Sequence, residues 1–157
     1  MAEEGIELVY GGGATGLMGV LANAVLARGG NVCGVIPTFL STKKLAHTGL
    51  TRRIVTRSMH ERKMTMSQLA DAFAVLPGGF GTLDEFLEIL TWKQLRLHSR
   101  PLIIANTDGW FDPLLEYFRR ASALGAMSKA NLKLYAVANR AEEVIDILLR
   151  FKQQRRA

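Results

Sequence analysis

The residues best suited to chemistry stand in two glycine-rich segments and in a basic pair between them. The second segment, residues 77–85, reads PGGFGTLDE. Glycines let a backbone approach an anion closely, and the first N–H groups of a following helix point at that anion. We therefore predict a phosphate at the start of a helix near Thr82. Thr82 and Glu85 also fit an ordinary capping box, Thr-x-x-Glu, which leaves a purely structural interpretation open.

The first glycine-rich segment is Gly11, Gly13 and Gly16, which match G-x-G-x-x-G between a predicted strand and a predicted helix. This is the setting of a dinucleotide fingerprint. An NAD site needs an acidic residue about 20 positions further on, and residues 8–60 contain none, which disfavours NAD. NADP stays open because cations are available for a 2′-phosphate: Lys43, Lys44, Arg52 and Arg53. A Walker A loop is excluded, since no Gly-Lys-Ser/Thr follows.

Charge is distributed unevenly along the chain. The formal net charge is +6. Residues 8–60 contain no Asp or Glu, and their Lys and Arg residues are Arg28, Lys43, Lys44, Arg52, Arg53 and Arg57. Such a stretch favours an anionic ligand, either nucleic acid or a phosphorylated small molecule, although a solvated basic face remains an alternative. A second basic run, residues 150–156, is interpreted as the cationic end of a helix.

A basic pair and a carboxylate are candidates for the reacting groups. Arg62 and Lys63 stand in the first turns of one predicted helix. In the next helix Glu85 and Glu88 lie away from a predicted core stripe formed by Leu83, Phe86, Leu87 and Leu90. These groups would flank one phosphate-lined cleft. The alternative is that Arg62 pairs with an acid on the surface.

The elements that must position these residues alternate between strands and helices. The sequence predicts strands at 6–10, 32–36, 52–57, 72–76, 102–105 and 134–137, and helices at 17–27, 59–69, 83–95, 112–124 and 141–151. Segment 38–50 is predicted to be a loop, and strand 72–76 to be buried on both faces. The pattern indicates an α/β, Rossmann-like fold with a mostly parallel sheet and helices on both faces, in one domain over residues 1–157. Both glycine turns would then end strands of one sheet and bind one phosphate between them.

Composition excludes several classes of protein. Hydrophobic residues make up 48% and charged residues 22% of the chain, as in ordinary globular proteins. The single cysteine, Cys33, excludes an intramolecular disulfide. The three histidines are scattered, so no metal site is predicted. An acidic start without an apolar run argues against a signal peptide or membrane span, and a cytoplasmic location is expected.

Three motifs in this order and spacing resemble the Lonely Guy family. They are GGGxxGLMG at residues 11–19, MxxRK at residues 59–63 and PGGxGTxxE at residues 77–85. These proteins are cytokinin riboside 5′-monophosphate phosphoribohydrolases, and many carry an old label of lysine decarboxylase. The similarity covers essentially the whole chain, and PGGxGTxxE is the most specific of the motifs. It implies hydrolysis of the N-glycosidic bond of an N6-substituted AMP to the free base and ribose 5-phosphate.

The resemblance also implies roles for individual residues. Arg62 and Glu85 correspond to the catalytic pair. The remaining motif positions correspond to substrate contacts: Gly12, Gly13, Met59, Lys63, Gly78, Gly79, Gly81 and Thr82. A homodimer is implied, with helices 59–69 and 83–95 at its interface and Trp92 on a helix whose core stripe is already filled. A pyridoxal-dependent decarboxylase needs a Schiff-base lysine, and none stands out, so no cofactor is expected. Neither nucleic acid nor a membrane is an expected partner.

One departure from the family pattern concerns the start of the chain. Family members begin with a strand, a Ser-rich turn and a helix before the strand that is here 6–10. The resemblance implies that this chain starts near the end of that helix and lacks on the order of 30 residues. Two other functions stay open: a broader purine 5′-nucleotide nucleosidase acting on AMP or GMP, and a non-catalytic nucleotide or cofactor carrier on the same fold.

Overall fold

A computed structural model describes residues 1–42 and 44–154. Lys43, a candidate for the 2′-phosphate, and Arg155 and Arg156 of the second basic run lie outside the described residues. The chain divides into two compact units, Met1–Ala70 and Asp71–Ala157.

The first unit is a three-stranded parallel sheet with two helices. Its strands are β1 (Leu8–Tyr10), β2 (Val32–Pro37) and β3 (Arg52–Thr56), in the order β1-β2-β3. Helix α1 (Gly16–Leu26) connects β1 to β2, and α2 (Met59–Leu69) follows β3. Every residue of β2 is buried, as expected for the central strand of a covered parallel sheet. The core under α1 consists of Leu8, Tyr10, Ala22, Val25 and Val32.

The second unit is also a three-stranded parallel sheet, β4 (Phe73–Val75), β5 (Leu102–Ala105) and β6 (Ala136–Ala138), in that order. Its helices are α3 (Phe80–Gln94), α4 (Asp112–Ala123) and α5 (Ala141–Gln154). Successive residues of β5 face opposite sides of the sheet. One side packs with Phe86 and Ile89 of α3 and Phe118 of α4. The other packs with Val144 of α5, so this unit has three layers.

The α/β class, the parallel pairing and the order of elements confirm the prediction, but several details were wrong. The two glycine-rich turns do not end strands of one sheet, since β1 pairs with β2 and β4 with β5 in two separate sheets. In β4 the middle residue, Ala74, is exposed, because β4 is an edge strand. The last strand begins two residues later than predicted, because a 3-10 helix occupies residues 129–133.

Further differences concern α3. Leu87 is 41% exposed, whereas Phe86 and Ile89 are buried and Leu83 and Leu90 pack beside them. The helix starts at Phe80, three residues earlier than predicted. Trp92 packs against the core of the second unit, so it is not a spare apolar residue.

Candidate active site

The glycine-rich turn after β1 accepts a hydrogen bond from a buried tyrosine. The hydroxyl of Tyr10 donates to the carbonyl oxygen of Gly13 at 3.1 Å. Burial raises the pKa of Tyr10 to about 12, so the phenol stays protonated and remains a donor. Gly12 has φ of 73°, a left-handed conformation that suits glycine. Gly12, a predicted substrate contact, therefore lies in a turn whose backbone conformation favours glycine.

Gly11 lies against the guanidinium group of Arg62. A β-carbon built on Gly11 would collide with Nη2 of Arg62. Arg62 is only 9% exposed, and its Nε donates to the backbone carbonyl of Val35 in β2 at 3.1 Å. Arg62 is therefore a buried side chain and not part of a solvated surface. The fold instead holds this cation in one orientation beside the first glycine-rich turn.

The start of α2 fixes the residues around Arg62. Ser58 is the N-cap, and its side chain accepts from the N–H of Glu61 at 3.1 Å. The Glu61 carboxylate in turn accepts from the N–H of Arg57 at 2.7 Å. Met59 brings its sulfur within 3.8 Å of Nη1 of Arg62, and Lys63 is half-buried next to it. Met59 and Arg62 are thus in contact, as their place in one motif suggests.

The loop at residues 45–49, to which the sequence assigns no function, is hydrogen-bonded to the first glycine-rich turn. The N–H of His47 donates to the carbonyl of Gly12 at 2.9 Å, and the N–H of Ala14 donates to the carbonyl of Leu45 at 2.8 Å. Nδ1 of His47 accepts from the N–H of Gly49 at 3.1 Å, so Nε2 carries the proton and donates to Asn23 of α1 at 2.9 Å. These bonds join the loop, the turn and α1.

Two of the basic residues considered for a 2′-phosphate, Arg52 and Arg53, lie in strand β3. Arg52 pairs with Glu7 at 3.7 Å, and both side chains are half exposed. Arg52 begins β3, so it lies at the amino edge of a sheet whose glycine-rich turn is at the carboxyl edge. Arg53 lines a cavity of about 340 Å³ with His47, Thr48 and Leu50. Arg52 is therefore a poor candidate for an NADP phosphate.

The second glycine-rich segment starts a helix without a side-chain cap. The N-cap of α3 is Gly79, so Thr82 is the third residue of the helix and the capping-box interpretation is wrong. A β-carbon on Gly78 would collide with Thr82, whereas one on Gly79 would meet no atom within 4 Å. The first N–H groups of α3 have no partner within the helix, which is the usual geometry of an anion site.

Thr82 and Glu85 are three residues apart in α3, so they share one helix face. Both are half-buried. Because neither caps the helix, stability of the helix start no longer explains why these two residue types occur there. Phe80, by contrast, is 93% exposed.

Sequence reasoning missed one aromatic residue in this region. Nε1 of Trp110 donates to the carbonyl of Gly78 at 3.3 Å, although the two residues are 32 positions apart. The only signal was that Trp110 closely follows strand β5, whose carboxyl end adjoins that of β4. His47 was missed as well, since its partners are distant in sequence.

The predicted site residues thus fall into two groups. The first unit contains Gly12, Gly13, Met59, Arg62 and Lys63, and the second contains Gly78, Gly79, Gly81, Thr82 and Glu85. A single phosphate shared by both turns remains a prediction. Within the described residues, no three His, Cys, Asp or Glu side chains form a group suited to a metal ion. None of the helices in residues 1–42 and 44–154 has the length and apolar character needed to cross a bilayer.

Comparison with known proteins identifies the relatives of this chain. The sequence model of a family described as "Possible lysine decarboxylase" matches residues 18–148. A cytokinin riboside 5′-monophosphate phosphoribohydrolase of Rhodococcoides fascians is 47% identical over 131 residues, which are 83% of this chain and 66% of that protein. A phosphoribohydrolase of the same name from Arabidopsis thaliana is 38% identical over 94% of this chain and 70% of its own length.

A probable enzyme of this kind from Oryza sativa subsp. japonica is 41% identical over 92% of this chain. The matched part is 59% of the rice protein and 66% of the Rhodococcoides fascians protein, so this chain spans about three fifths to two thirds of the length of these two relatives.

Two solved structures have a similar fold. A molybdenum cofactor binding protein from Rippkaea orientalis superposes with a TM-score of 0.67 over 94% of this chain and 78% of that chain, at 21% identity. The molybdenum cofactor carrier protein of Chlamydomonas reinhardtii gives a TM-score of 0.68 over 97% of this chain and 81% of its own, at 19% identity. At such low identity the likeness shows the fold alone. The family match and the sequence identities go further, and they show that this chain belongs to the Lonely Guy family of cytokinin riboside 5′-monophosphate phosphoribohydrolases.

Proposed function

We propose that this protein hydrolyses the N-glycosidic bond of a cytokinin riboside 5′-monophosphate, an N6-substituted AMP. The products are the free base and ribose 5-phosphate. The observation that carries the proposal is the 47% identity to the Rhodococcoides fascians phosphoribohydrolase over 83% of this chain. The chemistry of the motif residues agrees with it.

The reaction breaks the bond between C1′ of the ribose and N9 of the base. The electron pair leaves with the base, and C1′ passes through an oxocarbenium-like state that a carboxylate stabilises or captures. We assign that carboxylate to Glu85. The oxygen of water then bonds to C1′, and its proton balances the charge on the departing base.

Arg62 is the second catalytic residue in this proposal. The departing base develops negative charge, which a fixed cation stabilises. Support comes from the burial of Arg62 and from the bond of its Nε to Val35, which hold the guanidinium in place before substrate arrives. A preorganised charge of this kind needs no reorganisation during the reaction.

The substrate contacts follow the two glycine-rich turns. We propose that the uncapped start of α3 binds the 5′-phosphate through backbone N–H groups and the Thr82 hydroxyl. Gly12 and Gly13, with Met59 and Lys63 of α2, complete the contacts to the nucleotide. The observation that supports this assignment is that Gly79, rather than a polar side chain, is the N-cap of α3.

The proposal includes a homodimer in the cytoplasm that needs neither a metal nor a cofactor, since water is the only co-reactant. A broader purine nucleotide nucleosidase uses the same chemistry and differs only in the base accepted. A non-catalytic carrier is the weaker alternative, because the two carrier-like structures share 19–21% identity with this chain.

The test is release of free base from a panel of substrates. The protein is incubated with isopentenyl-AMP, AMP and GMP, and with the matching nucleosides. We expect turnover of isopentenyl-AMP and no comparable turnover of its nucleoside. Equal turnover of nucleoside and monophosphate would refute the phosphate requirement, and preferred turnover of AMP would favour the broader nucleosidase. Binding without any release of base would support the carrier.

A further inference from the structure

Trp110 is an exposed aromatic residue that directly precedes a buried one. Its side chain is 58% exposed, whereas the next residue, Phe111, is 3% exposed and belongs to the core of the second unit. Exposed tryptophan is uncommon unless its ring has a partner or a ligand. Here the indole N–H donates to the carbonyl oxygen of Gly78 at 3.3 Å.

The loop that presents Trp110 is fixed by a buried asparagine. Oδ1 of Asn106 accepts from the N–H of Phe111 at 2.8 Å, and Nδ2 donates to the carboxylate of Asp112 at 2.8 Å. Within this loop Asp108 has φ of 53°. A left-handed conformation is costly for a residue with a side chain, and such strain concentrates at functional sites. The hydrogen bonds of Asn106 therefore hold the loop in a conformation that costs backbone energy at Asp108.

The sheet places this loop beside the second glycine-rich segment. β4 and β5 are parallel neighbours, with Val75 opposite Ile104. Gly78 follows β4 and Trp110 follows β5, so both lie at the carboxyl edge, where α/β proteins bind ligands.

The hydrogen bond from Trp110 to the Gly78 carbonyl also affects the direction of the backbone N–H of Gly79. The carbonyl of Gly78 and the N–H of Gly79 belong to one planar peptide unit and point in opposite directions. Holding the carbonyl therefore also fixes the orientation of the Gly79 N–H. Without such a bond, two successive glycines would sample many orientations. We infer that Trp110 is a positioning residue that aims the Gly79 N–H at the substrate phosphate, an inference that rests on the proposed function.

The decisive variant is Trp110→Phe, which keeps an aromatic ring and removes the N–H donor. We expect binding of ribose 5-phosphate, measured by titration calorimetry, to weaken about two- to tenfold, the range for one modest hydrogen bond. KM for isopentenyl-AMP should rise by the same factor, while kcat stays within about twofold. Tyr117→Phe is the matched control, because Tyr117 is an exposed aromatic residue of α4 at 66% exposure. It should leave both quantities unchanged.

Unchanged affinity in Trp110→Phe would overturn the inference, as would a fall in kcat without a change in KM. An equal loss in Tyr117→Phe would also overturn it, because the effect would then not be specific to the indole. The proposed hydrolysis fails separately: if no base is released but ribose 5-phosphate binds and Trp110→Phe weakens that binding, the positioning role stands without the reaction.

An optical measurement gives a second readout. The chain has two tryptophans, so Trp92→Phe leaves Trp110 as the only one. Adding ribose 5-phosphate to that variant should shift or quench the emission of Trp110, because the ligand would bind to the turn that the indole contacts. Emission that does not change at saturating ligand would contradict the inference.

Discussion

The guanidinium group of Arg62 lies against the backbone of Gly11, at a place where any β-carbon would overlap it. The two residues come from different elements, a turn after β1 and the helix α2. Arg62 is held there by the carbonyl of Val35, so it cannot move aside without losing a buried hydrogen bond. The glycine is thus a steric requirement for the position of the proposed catalytic cation.

Gly11→Ala should therefore displace Arg62. We expect turnover to fall about a hundredfold, the usual effect of shifting a reacting group by about 1 Å. Overpacking should lower the free energy of unfolding by about 1–3 kcal/mol. Both are measured on one preparation, by release of base and by denaturant unfolding.

The control is Gly49→Ala, where a β-carbon would meet the His47 ring at an ordinary 3.5 Å. It should keep turnover and most of its stability. Full activity in a folded Gly11→Ala protein would show that the position of Arg62 does not matter to the reaction.

Glu85→Gln should abolish turnover and leave nucleotide binding largely intact. The substitution keeps the size of the side chain and removes the negative charge that meets the oxocarbenium-like state. Loss of one positioned catalytic group costs about 10²- to 10⁴-fold in rate. Because the N-cap of α3 is Gly79, the melting temperature should change little. Glu88→Gln, one turn further along the same helix, is the matched control and should remain active. Turnover near that of the unmodified protein would make the assignment of Glu85 wrong.

Leu87→Lys should weaken the proposed homodimer. Leu87 is 41% exposed on α3, the helix that also presents Phe80 at 93% exposure. Burial of such side chains between two copies would stabilise a dimer, and a buried lysine would oppose it. Light scattering at micromolar concentration should give a dimeric mass for the unmodified protein and a lower mass for the variant. Leu124→Lys, at an exposed site on α4's C-cap, is the control. A monomeric unmodified protein would refute the dimer.

Protonation of His98 should lower the free energy of unfolding in mild acid relative to neutral pH. Burial lowers the pKa of His98, and the nearby charges of Arg100 and Lys93 lower it further, against the opposing effect of the bond to Ile89. The unfolded chain therefore binds a proton more readily than the folded one. Stability is complete above the unfolded pKa of about 6.5 and falls as the pH drops below it.

The measurement is urea unfolding from about pH 7 to about pH 5. The unmodified protein should lose more free energy of unfolding over this range than His98→Gln, which keeps a donor for the carbonyl of Ile89. Parallel pH profiles for the two proteins would exclude His98 as the source of the effect.

The sequence by itself determined the order of the elements and the family. Apolar runs and the Gly or Pro residues that end them are local signals. Helix 59–69 and strand 102–105 were therefore predicted with the bounds that the structure has. The motif around Gly78 and Glu85 was equally visible, because its spacing lies within one turn and one helix. The predicted end of an element was wrong where a glycine stands in place of a polar N-cap, as at the start of α3.

Only the tertiary structure decided what surrounds those residues. The contact of Arg62 with Gly11, the bond of His47 to Gly12 and the bond of Trp110 to Gly78 each join segments far apart in the chain. The division of the strands into two sheets is likewise a matter of which backbones pair. Such contacts depend on how separate elements pack, and no local periodicity or propensity encodes them. The local sequence therefore predicts the candidate reacting groups, and packing determines how their side chains are held.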